Sequence, residues 1–552
     1  MTSSQQHDNS SKGRVAVLGL GISGIVQVKN LVEQGFQVVG FERNDYYGGL
    51  WKYNEDKEQI SVLKNTIANT SKYFGHYTDF SFNDDVPTYP RASDIYSNLQ
   101  DYVNHFDLLQ YMRLGIVITL LERSQDGQAW NVHYTSDEKD IVERFDKVVV
   151  CTGPWERSYK PKYKGEADFK GEFVMGKEYK GPEEYVGKRV VIVGMSYTAC
   201  DTAVDLAGVA KEVYMSHRSG IRICPRIVDG KAFDTKVTRQ LSSLMTFFDK
   251  YIPWLGDYIP NKVMVSNMLK VYPNLKPEWR LLPAPAFKNT WGVINDHIID
   301  KFTSGEVIPL NGIKSFTSNG IITEDFDGKE VHTEVDVVIF CTGAYFDYSN
   351  LSPEANPASH QPKEWENLEH SNGLLYPRLY QNIFHPQFID SLAFIGPCKG
   401  FSFAIHPNSD LISQAITQVF AGNLNSANKL PQNKVEVDEW CEGNYHANVR
   451  LVKRWRTFRT GPTIARDFES FLNDVAGTSV NEYLGGWGWK AWKFWWYNRE
   501  LYGLLVRGVN SPAQYRLFKG NGRKQWDGAV ELIYKANGRE MPERYQGRAF
   551  EW

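Results

Sequence analysis

Three glycines near the N-terminus have the spacing of a loop that binds a dinucleotide. Gly19, Gly21 and Gly24 lie between a short apolar run and an apolar-faced helical pattern. In such a loop the first glycine allows a tight turn, the second lets the backbone approach a pyrophosphate, and the third lets helix pack on strand. The phosphates then lie at the helix N-terminus, where free N–H groups favour negative charge. Glu42, which ends the next apolar run, is positioned to accept hydrogen bonds from an adenosine ribose. We call the stretch from Gly19 to Gly24 the first glycine turn.

A second stretch repeats this pattern with two changes. Gly194 keeps the first glycine, whereas Ser196 stands at the second glycine position and Ala199 at the third. Alanine is tolerated at the packing position, and serine is small enough to hinder backbone approach only mildly. Arg218 stands where the first unit has Glu42, and a guanidinium there predicts a contact with a 2′-phosphate, which selects NADPH over NADH. A solvated surface arginine is the alternative. We call the stretch from Gly194 to Ala199 the second glycine turn.

The second glycine turn has one other interpretation, the nucleophile elbow of a serine hydrolase. Ser196 would then be the nucleophile, on a strand, turn and helix. The pattern G-x-S-x-G requires glycine where Thr198 stands, and an elbow explains neither Arg218 nor the first glycine turn. The sequence therefore favours nucleotide binding.

Each glycine turn needs a strand before it and a helix after it. Residues 14–18 form an apolar, strand-like run, and residues 36–41 form another after the helical pattern. The same order returns with residues 189–193, a helical pattern through Leu206, and residues 212–216. Strand, turn, helix and strand make a βαβ unit that opens a parallel sheet. The sequence therefore predicts an α/β fold with two Rossmann-like dinucleotide-binding domains.

A weaker repeat predicts how these domains are connected. Residues 148–153 are echoed by residues 338–343, and both stretches are apolar strand patterns that end in Cys-Thr-Gly. They stand before and after the second glycine turn, so we expect chain crossings there, with the second domain inserted into the first. The predicted division is a flexible tail at 1–12, the first domain at 13–160 and 332–425, the second domain with an insertion over the substrate entrance at 161–331, and an aromatic-rich C-terminal segment at 426–552.

Composition excludes several classes of protein. The 552 residues are 42% hydrophobic and 23% charged, which is a globular balance. Lys and Arg total 62 against 65 Asp and Glu, so no basic field favours a nucleic-acid partner. The six cysteines include no C-x-x-C pair or Cys/His cluster, which argues against a disulfide framework, a dithiol centre and a metal site. Without a secretory signal or an apolar run of about 20 residues, we expect a cytoplasmic chain with no transmembrane segment. Peripheral membrane association and a homo-oligomer stay open.

Four further motifs occur in order along the chain. They are Gly48-Gly49-Leu50-Trp51-Lys52, the asparagine-bearing residues 61–72, Cys341-Thr342-Gly343-Ala344-Tyr345 and residues 511–517. Together with both glycine turns, they resemble the flavin-containing monooxygenases, which are FAD- and NADPH-dependent enzymes that oxygenate soft nucleophiles. The likeness runs from Val15 to about Val530.

The resemblance implies a function and a set of site residues. NADPH would reduce FAD, O₂ would add to the reduced flavin, and the resulting hydroperoxide would oxygenate nitrogen or sulfur of a small-molecule substrate. Asn69 matches the family's asparagine beside the flavin and nicotinamide, and its amide can both donate and accept. We expect it to be catalytic; a loop-capping asparagine is the alternative. The residues expected to bind the two cofactors are Gly19, Gly21, Ser23, Gly24, Glu42, Gly49, Leu50, Trp51, Asn69, Thr70, Gly194, Ser196, Tyr197, Thr198, Arg218 and Ser219.

The family's own signature, F-x-G-x-x-x-H-x-x-x-[YF], spans residues 169–179 with one departure. Met175 occupies the histidine position, and Tyr179 at the end favours the branch that oxygenates nitrogen and sulfur. A Baeyer–Villiger or carbon-hydroxylating relative, a flavoprotein reductase or oxidase without an oxygenated product, and a regulatory nucleotide-binding protein are the alternatives.

Three weaker features receive structural interpretations first. Clustered tryptophans are expected to pack in the core or between domains, ahead of lining a channel or attaching to a membrane interface. His406 fits a structural role as well as a pocket role. Residues 222–295 carry no catalytic pattern and are expected to cover the substrate entrance. The clustered tryptophans are Trp487, Trp489, Trp492, Trp495 and Trp496.

Overall fold

The structure is a computed structural model, which describes most of the chain. The described residues are 12–136, 139–287, 290, 292–396, 404–423, 430–431, 433–456, 465–486, 488–520 and 524–546. Residues 1–11 of the predicted tail and Trp487 of the tryptophan cluster lie outside the described residues.

The strands lie between residues 14 and 394, and the described elements after the last strand are helices. The strands are β1 (Arg14–Leu18), β2 (Gln37–Phe41), β3 (Met112–Arg113), β4 (Val117–Arg123), β5 (Trp130–Ser136), β6 (Lys139–Phe145), β7 (Lys147–Val150), β8 (Arg157–Ser158), β9 (Glu172–Met175), β10 (Arg189–Val193), β11 (Glu212–His217), β12 (Ile223–Cys224), β13 (Ile227–Val228), β14 (Lys231–Ala232), β15 (Val293–Ile294), β16 (Ile308–Asn311), β17 (Ser315–Thr317), β18 (Gly320–Glu324), β19 (Glu330–Glu334), β20 (Val337–Phe340), β21 (Ala344–Tyr345) and β22 (Leu392–Phe394). The helices are α1 (Ile22–Glu33), α2 (Ala92–His105), α3 (Tyr197–Leu206), α4 (Arg239–Tyr251), α5 (Pro253–Val271), α6 (Ile298–Ser304), α7 (Lys363–Glu366), α8 (Ile405–Phe420), α9 (Lys434–Trp455), α10 (Ala465–Ala476), α11 (Val480–Leu484), α12 (Trp489–Tyr497), α13 (Arg499–Arg507) and α14 (Ala529–Ala536).

Two parallel sheets form the frame of the molecule. The first has the strand order β22-β7-β1-β2-β3, and the second has the order β16-β11-β10-β20-β9. Every pair within these two sheets is parallel. Their central strands read as continuous apolar runs because helices and loops cover both faces. The predicted α/β fold with two Rossmann-like sheets is confirmed.

The two sheets share an internal repeat that corrects one predicted boundary. In each domain, a separate three-stranded antiparallel sheet precedes the Cys-Thr-Gly strand along the chain: β4-β5-β6 before β7, and β17-β18-β19 before β20. The sequence predicts that the first domain resumes at residue 332, and this boundary is wrong because β20 pairs with β10 and β9 in the second sheet. Strand β7 pairs with β1, and β20 pairs with β10. Each Cys-Thr-Gly strand therefore lies beside the strand that leads into the glycine turn of its own sheet. The chain crosses between sheets just after each repeat, where β8 and β21 pair antiparallel.

The C-terminal segment packs on the first sheet's helices and shares its core. Helix α10 contacts α8, and α8 contacts α1. Arg516, fully buried, donates to Thr78 Oγ1 at 3.0 Å and to Asn30 Oδ1 at 2.9 Å. The same guanidinium lies 3.1 Å from the Asp79 carboxylate, which also accepts from Lys29 at 2.5 Å. Each of these buried charges has an opposite charge beside it, which is the condition for burying it without a large loss of stability.

Helix α12 of the C-terminal segment differs from the expectation that its tryptophans are packed. Trp489, Trp492 and Trp496 of α12 are exposed. The expectation that the clustered tryptophans pack in the core is therefore wrong for these three. Among the described residues, no helix is long and apolar enough to cross a membrane.

Candidate cofactor and active site

The first glycine turn joins β1 to α1 and needs glycine at two positions for steric reasons. Gly19 has φ +93°, a conformation that side chains other than glycine's rarely adopt. A Cβ on Gly24 would lie 1.8 Å from the Gly19 carbonyl oxygen. Only glycine lets α1 approach the turn this closely, as the spacing predicts.

The middle glycine of this turn faces a second pair of glycines. Gly21 has an ordinary φ of −78°, and the nearest atom to a Cβ placed on it is the Gly49 Cα, at 3.7 Å. Gly48, with φ +101°, donates its N–H to the Leu20 carbonyl at 2.8 Å. Two backbone surfaces without side chains thus meet here. That arrangement fits a pyrophosphate, which needs close backbone approach.

Glu42 connects the end of β2 to this turn. Its carboxylate accepts from the Leu20 N–H at 2.9 Å and from the Asn44 N–H at 3.1 Å. Burial raises the pKa of the Glu42 carboxyl, against the opposing effect of these N–H donors. An ionised carboxylate has about four acceptor positions, so two remain for ribose hydroxyls. The geometry fits the predicted ribose contact.

Three other residues predicted at the first cofactor lie around the same turn. Ser23 is half-buried, and its hydroxyl is 2.8 Å from that of Ser409 in α8. Leu50 and Trp51 are half-buried in a short 3₁₀ turn, and Trp51 packs against the first core. The Leu50 carbonyl accepts from the Val62 N–H at 2.9 Å. This hydrogen bond connects the 3₁₀ turn to the segment that contains Asn69.

Helix α2 brings the flavin-motif glycines and the Asn69 segment together. A Cβ on Gly48 would meet the Tyr96 ring of α2 at 2.9 Å. Ile67 bridges to Arg91, the residue before α2, and the Ala92 N–H donates to the Thr66 carbonyl at 2.9 Å. Both segments therefore contact the first half of one helix.

The second glycine turn has the same frame with a more exposed polar rim. Gly194 has φ +129°, and a Cβ on it would lie 2.6 Å from the Cys341 carbonyl oxygen. Ala199 is fully buried at the packing position. Ser196 and Thr198 are exposed, and Tyr197 is half-buried at the start of α3. Alanine thus satisfies the packing role, and Ser196 is open to solvent.

Arg218 and Ser219 follow β11 directly and are both exposed. The Gly194 N–H donates to the Ser216 carbonyl at 2.9 Å, so the end of β11 lies against the second glycine turn. Within the described part of the chain, no carboxylate forms an ion pair with Arg218. Its charge lowers the pKa of the Tyr163 hydroxyl, although burial has the larger, opposite effect. This guanidinium is available to an external anion.

Asn69 is held by an arginine that the sequence analysis did not select. Arg226, from the second domain, donates to the Asn69 Oδ1 at 3.4 Å. The same guanidinium donates to the carbonyls of Ala68 at 3.0 Å and Ile67 at 2.9 Å. It also pairs with the Asp296 carboxylate at 2.7 Å. Because the amide oxygen accepts from Arg226, the amide is oriented with its Nδ2 hydrogens left to donate.

Two further contacts join the asparagine segment to the second domain. The Ser71 N–H donates to the Asp234 carboxylate at 2.6 Å, and burial raises the pKa of that carboxyl. The Tyr89 hydroxyl donates to the Arg226 carbonyl at 2.8 Å. Thr70 is half-buried between these anchors. No spacing rule predicts such contacts, because the partners are distant in sequence and lie in irregular segments.

The residues that hold Asn69 are connected to α3, the helix that follows the second glycine turn. The Asn295 amide donates to the Asp201 carboxylate of α3 at 3.1 Å, and Asn295 is the neighbour of Asp296. Burial raises the pKa of Asp201 to about 6, although the charge of Arg226 opposes the shift. A continuous polar chain therefore links α3 to the asparagine.

Three other residues that the sequence analysis singled out have structural roles. Met175 ends β9 and packs, half-buried, against the second domain's core. Tyr179 is buried and donates to the Asp205 carboxylate at 2.7 Å. His406 is buried beside Tyr77, with ring centroids 5.2 Å apart, and burial lowers its pKa to about 3. His406 is therefore a neutral interior histidine.

Comparison with known proteins agrees with this architecture. The model of the flavin-binding monooxygenase-like family matches residues 12–545. The chain belongs to this family. It is 34% identical to monooxygenase aurF of Gibberella zeae over 95% of this chain and 97% of that protein. It is 29% identical to human flavin-containing monooxygenase 5, over 96% of this chain and 92% of the relative.

A solved structure with the same fold is the S-allyl-L-cysteine S-oxygenase of Allium sativum. The TM-score is 0.58 at 20% identity, and the match covers 89% of this chain and 94% of the S-oxygenase. This flavin-binding monooxygenase is an enzyme, and FAD and NADPH are its cofactors. Among the described residues, no group of three or more His, Cys, Asp or Glu side chains could hold a metal ion.

Proposed function

We propose that this monooxygenase oxygenates nitrogen or sulfur of a small molecule, with O₂ as the second substrate. The observation that carries the proposal is the oriented amide of Asn69 between the two glycine turns. Arg226 fixes the amide oxygen, and the polar chain through Asn295 connects this point to α3. A neutral donor is thus held at a contact between the two domains, where we place the meeting of the two cofactor sites.

We assign FAD to the first glycine turn and NADPH to the second. The facing glycines and the buried carboxylate of Glu42 support the first assignment, because pyrophosphate and ribose hydroxyls are what these groups bind. The exposed, unpaired guanidinium of Arg218 supports the second, because a 2′-phosphate is the charge that distinguishes NADPH from NADH. Ser23, Leu50, Trp51 and Ser219 are proposed as neighbours of these contacts.

The bound FAD, once reduced by NADPH, supplies the oxygen-activating chemistry. The protein's contribution is binding, orientation and exclusion of water. Asn69 donates a hydrogen bond from Nδ2 at the reacting centre, and Arg226 keeps the amide from rotating. Asp234 and Tyr89 hold the two segments together, so the donor stays in one place while the substrate binds.

The polar groups at Asn69 suit a soft nucleophile. Oxygen transfer to a neutral amine or thioether removes no proton from the substrate, so the site needs a donor but no general base. The side chain that contacts Ile67, Ala68 and Asn69 is the Arg226 guanidinium, which is already paired with Asp296, whereas the Asp234 carboxylate is bound to the Ser71 N–H. Tyr179 at the end of the family signature also favours this branch.

The test is a comparison of products from a tertiary amine, a thioether and a cyclic ketone, each with purified enzyme, NADPH and O₂. We expect an N-oxide and a sulfoxide, formed with NADPH consumption and without lactone. A lactone as the main product would contradict the proposed substrate class. Oxidation of NADPH with hydrogen peroxide as the only product, for all three compounds, would contradict oxygenation itself.

A further inference from the structure

Asp201 is a carboxylate of α3 that none of the proposed cofactor contacts uses. It lies four residues after Tyr197, the first residue of α3, and therefore about 6 Å further along the helix axis. It accepts a hydrogen bond from Asn295, and within the described residues it forms no ion pair with a lysine or an arginine. A partly buried carboxylate without a paired cation costs stability. Perturbed carboxyl groups of this kind are concentrated at functional sites.

Asn295 uses both ends of its side-chain amide. The Nδ2 group donates to Asp201 at 3.1 Å. The Oδ1 atom accepts from the N–H groups of His297 at 3.0 Å and Ile298 at 2.8 Å, at the start of α6. Asn295 is buried, so water does not replace these partners. A displacement of Asp201 is therefore passed to the segment between β15 and α6, which contains Asn295 and its neighbour Asp296.

Asp296 holds Arg226 at two points. Its carboxylate accepts from the Arg226 backbone N–H at 2.8 Å and from Nη1 of the same residue at 2.7 Å. The main chain and the guanidinium thus share one anion, which fixes the orientation of the guanidinium. In this orientation, Nε and Nη2 donate to the carbonyls of Ala68 and Ile67 and to the amide oxygen of Asn69. The position of Asp296 therefore decides where Asn69 is held.

The surroundings of Asp201 contain more negative than positive charge. The charge of Arg226 lowers the pKa of the Asp201 carboxyl, whereas the charges of two other carboxylates raise it. Two nearby thiols are neutral, because burial raises the pKa of each. Further negative charge at the N-terminus of α3 would disfavour the ionised form of Asp201 still more. The titratable groups around Asp201 are Arg226, Asp205, Asp296, Cys200 and Cys341.

We propose that Asp201 is a positioning residue that couples coenzyme binding at α3 to the orientation of Asn69. The proposal rests on the assignment of NADPH to the second glycine turn. The coenzyme phosphates fix the N-terminus of α3, and Asp201 carries this constraint to Arg226 through Asn295 and its neighbour. The phosphates also bring negative charge about one helical turn from Asp201, so proton uptake accompanies coenzyme binding. The bond from Asn295 survives protonation, because a carboxyl group keeps an acceptor oxygen.

The test is hydrogen exchange of the full-length, FAD-loaded protein with and without NADP⁺, in the absence of substrate. In the wild type, we expect NADP⁺ to slow exchange in α3 and in residues 66–70, the latter about fivefold or more, the lower end of typical coupling between sites. Asp201→Ala should lose the protection of residues 66–70 and keep that of α3. Asp201→Asn keeps an acceptor oxygen for Asn295 and should restore the protection. Asp300→Ala, which removes an exposed carboxylate of α6, is the matched control and should behave like the wild type.

Proton uptake on NADP⁺ binding is a second readout, measured by calorimetry at about pH 7 in two buffers of different ionisation enthalpy. If the coenzyme raises the pKa of Asp201 from about 6 to about 7, the wild type takes up roughly 0.4 proton more than Asp201→Asn. The difference between these two proteins cancels the titration of the 2′-phosphate, which both share. A merely structural role for Asp201 would not produce this difference. The readout also stands if Asp201→Ala does not fold.

Two results would overturn the proposal and leave the proposed function intact. One is wild-type protection of residues 66–70 in Asp201→Ala that retains flavin absorbance and melts cooperatively. The other is equal proton uptake by the wild type and Asp201→Asn. A different result, in which NADP⁺ binds the wild type without protecting α3, would contradict the assignment of the coenzyme to the second glycine turn and this proposal with it.

Discussion

The two glycine turns lie in separate units that have the same order of strand, helix and strand, but the two units carry opposite charges at the end of the second strand. Glu42 is buried and already accepts two backbone N–H groups, whereas Arg218 is exposed and has no carboxylate partner among the described residues. The hydrogen bonds to the buried Glu42 carboxylate fix the backbone conformation of the first glycine turn. The exposed Arg218 guanidinium can pair with the negative charge of a bound ligand. The first site should therefore depend on backbone shape and the second on one side chain.

The middle position of each turn shows the same contrast. Gly21 lies against another glycine, Gly49, so any side chain would enter the space between two backbones. Ser196 lies exposed at the same position of the second turn. We infer that the first turn has the stricter steric requirement. The predictions below test this contrast, beginning with the largest effect.

Gly21→Val should abolish flavin binding. The valine methyls would fill the gap to Gly49 and cover the backbone N–H groups that face a pyrophosphate. The backbone itself can accept valine, because φ at Gly21 is −78°. We expect folded but colourless protein, measured as the flavin-to-protein absorbance ratio. Gly443→Val, at a helical glycine with open space around it, is the control and should stay yellow. Full flavin occupancy in Gly21→Val would place FAD elsewhere.

Arg218→Ala should weaken NADPH binding by about 1.5–3 kcal/mol, the range for hydrogen bonds to charged groups, or roughly tenfold to a hundredfold. NADH, which has no 2′-phosphate, should bind almost unchanged. The rate of flavin reduction as a function of coenzyme concentration measures both constants. Equal losses for the two coenzymes would remove Arg218 from the phosphate site.

Asn69→Ala should separate NADPH oxidation from product formation. A lost hydrogen bond costs about 1 kcal/mol, so the ratio of oxygenated product to hydrogen peroxide should fall about fivefold. Asn65→Ala, an exposed asparagine in the same segment, is the matched control. Arg226→Lys keeps the positive charge but loses the planar guanidinium. It should also lower the ratio of oxygenated product to hydrogen peroxide. Slow flavin reduction with normal coupling in Asn69→Ala would instead assign the residue to nicotinamide positioning.

Asp201→Asn should raise thermal stability by a few degrees near neutral pH. The pKa of about 6 in the folded state lies above the ordinary aspartate pKa of 3.8, so the folded state binds more protons between these values. Stability from this group is therefore present at low pH and is lost as pH rises through about 6. Asparagine removes this loss and still accepts from Asn295. Melting temperatures at pH 5 and about pH 8 measure the effect. If the change in melting temperature between the two pH values is the same in Asp201→Asn as in the wild type, the raised pKa of Asp201 is contradicted.

Local patterns predicted the fold, and long-range contacts set the limits of that prediction. The β1-α1-β2 unit follows from the glycine spacing and apolar runs, because each requirement acts within a few residues. The place of β20 did not follow, because the repeat shows that two strands are alike without showing which sheet each one joins. The repeat marks equivalent strands of two domains, and both chain crossings come just after them.

The candidate site was predictable to the same extent. The glycines, Glu42 and Arg218 are recognisable because their chemistry requires a fixed spacing. Arg226 is not, since it lies 157 residues from Asn69 and meets it only after both domains fold. The exposure of the α12 tryptophans was equally hidden, because a helical stripe has the same spacing whether it faces the core or the solvent.

The most direct test of the separate roles of the two residues is the ratio of oxygenated product to hydrogen peroxide, at saturating NADPH, in Arg218→Ala and in Asn69→Ala. The two residues are proposed to serve different steps, coenzyme capture and oxygen transfer. We predict a wild-type ratio in Arg218→Ala and a ratio about fivefold lower in Asn69→Ala. Equal ratios in the two variants, whether normal or reduced, would contradict the proposed separation of the two sites.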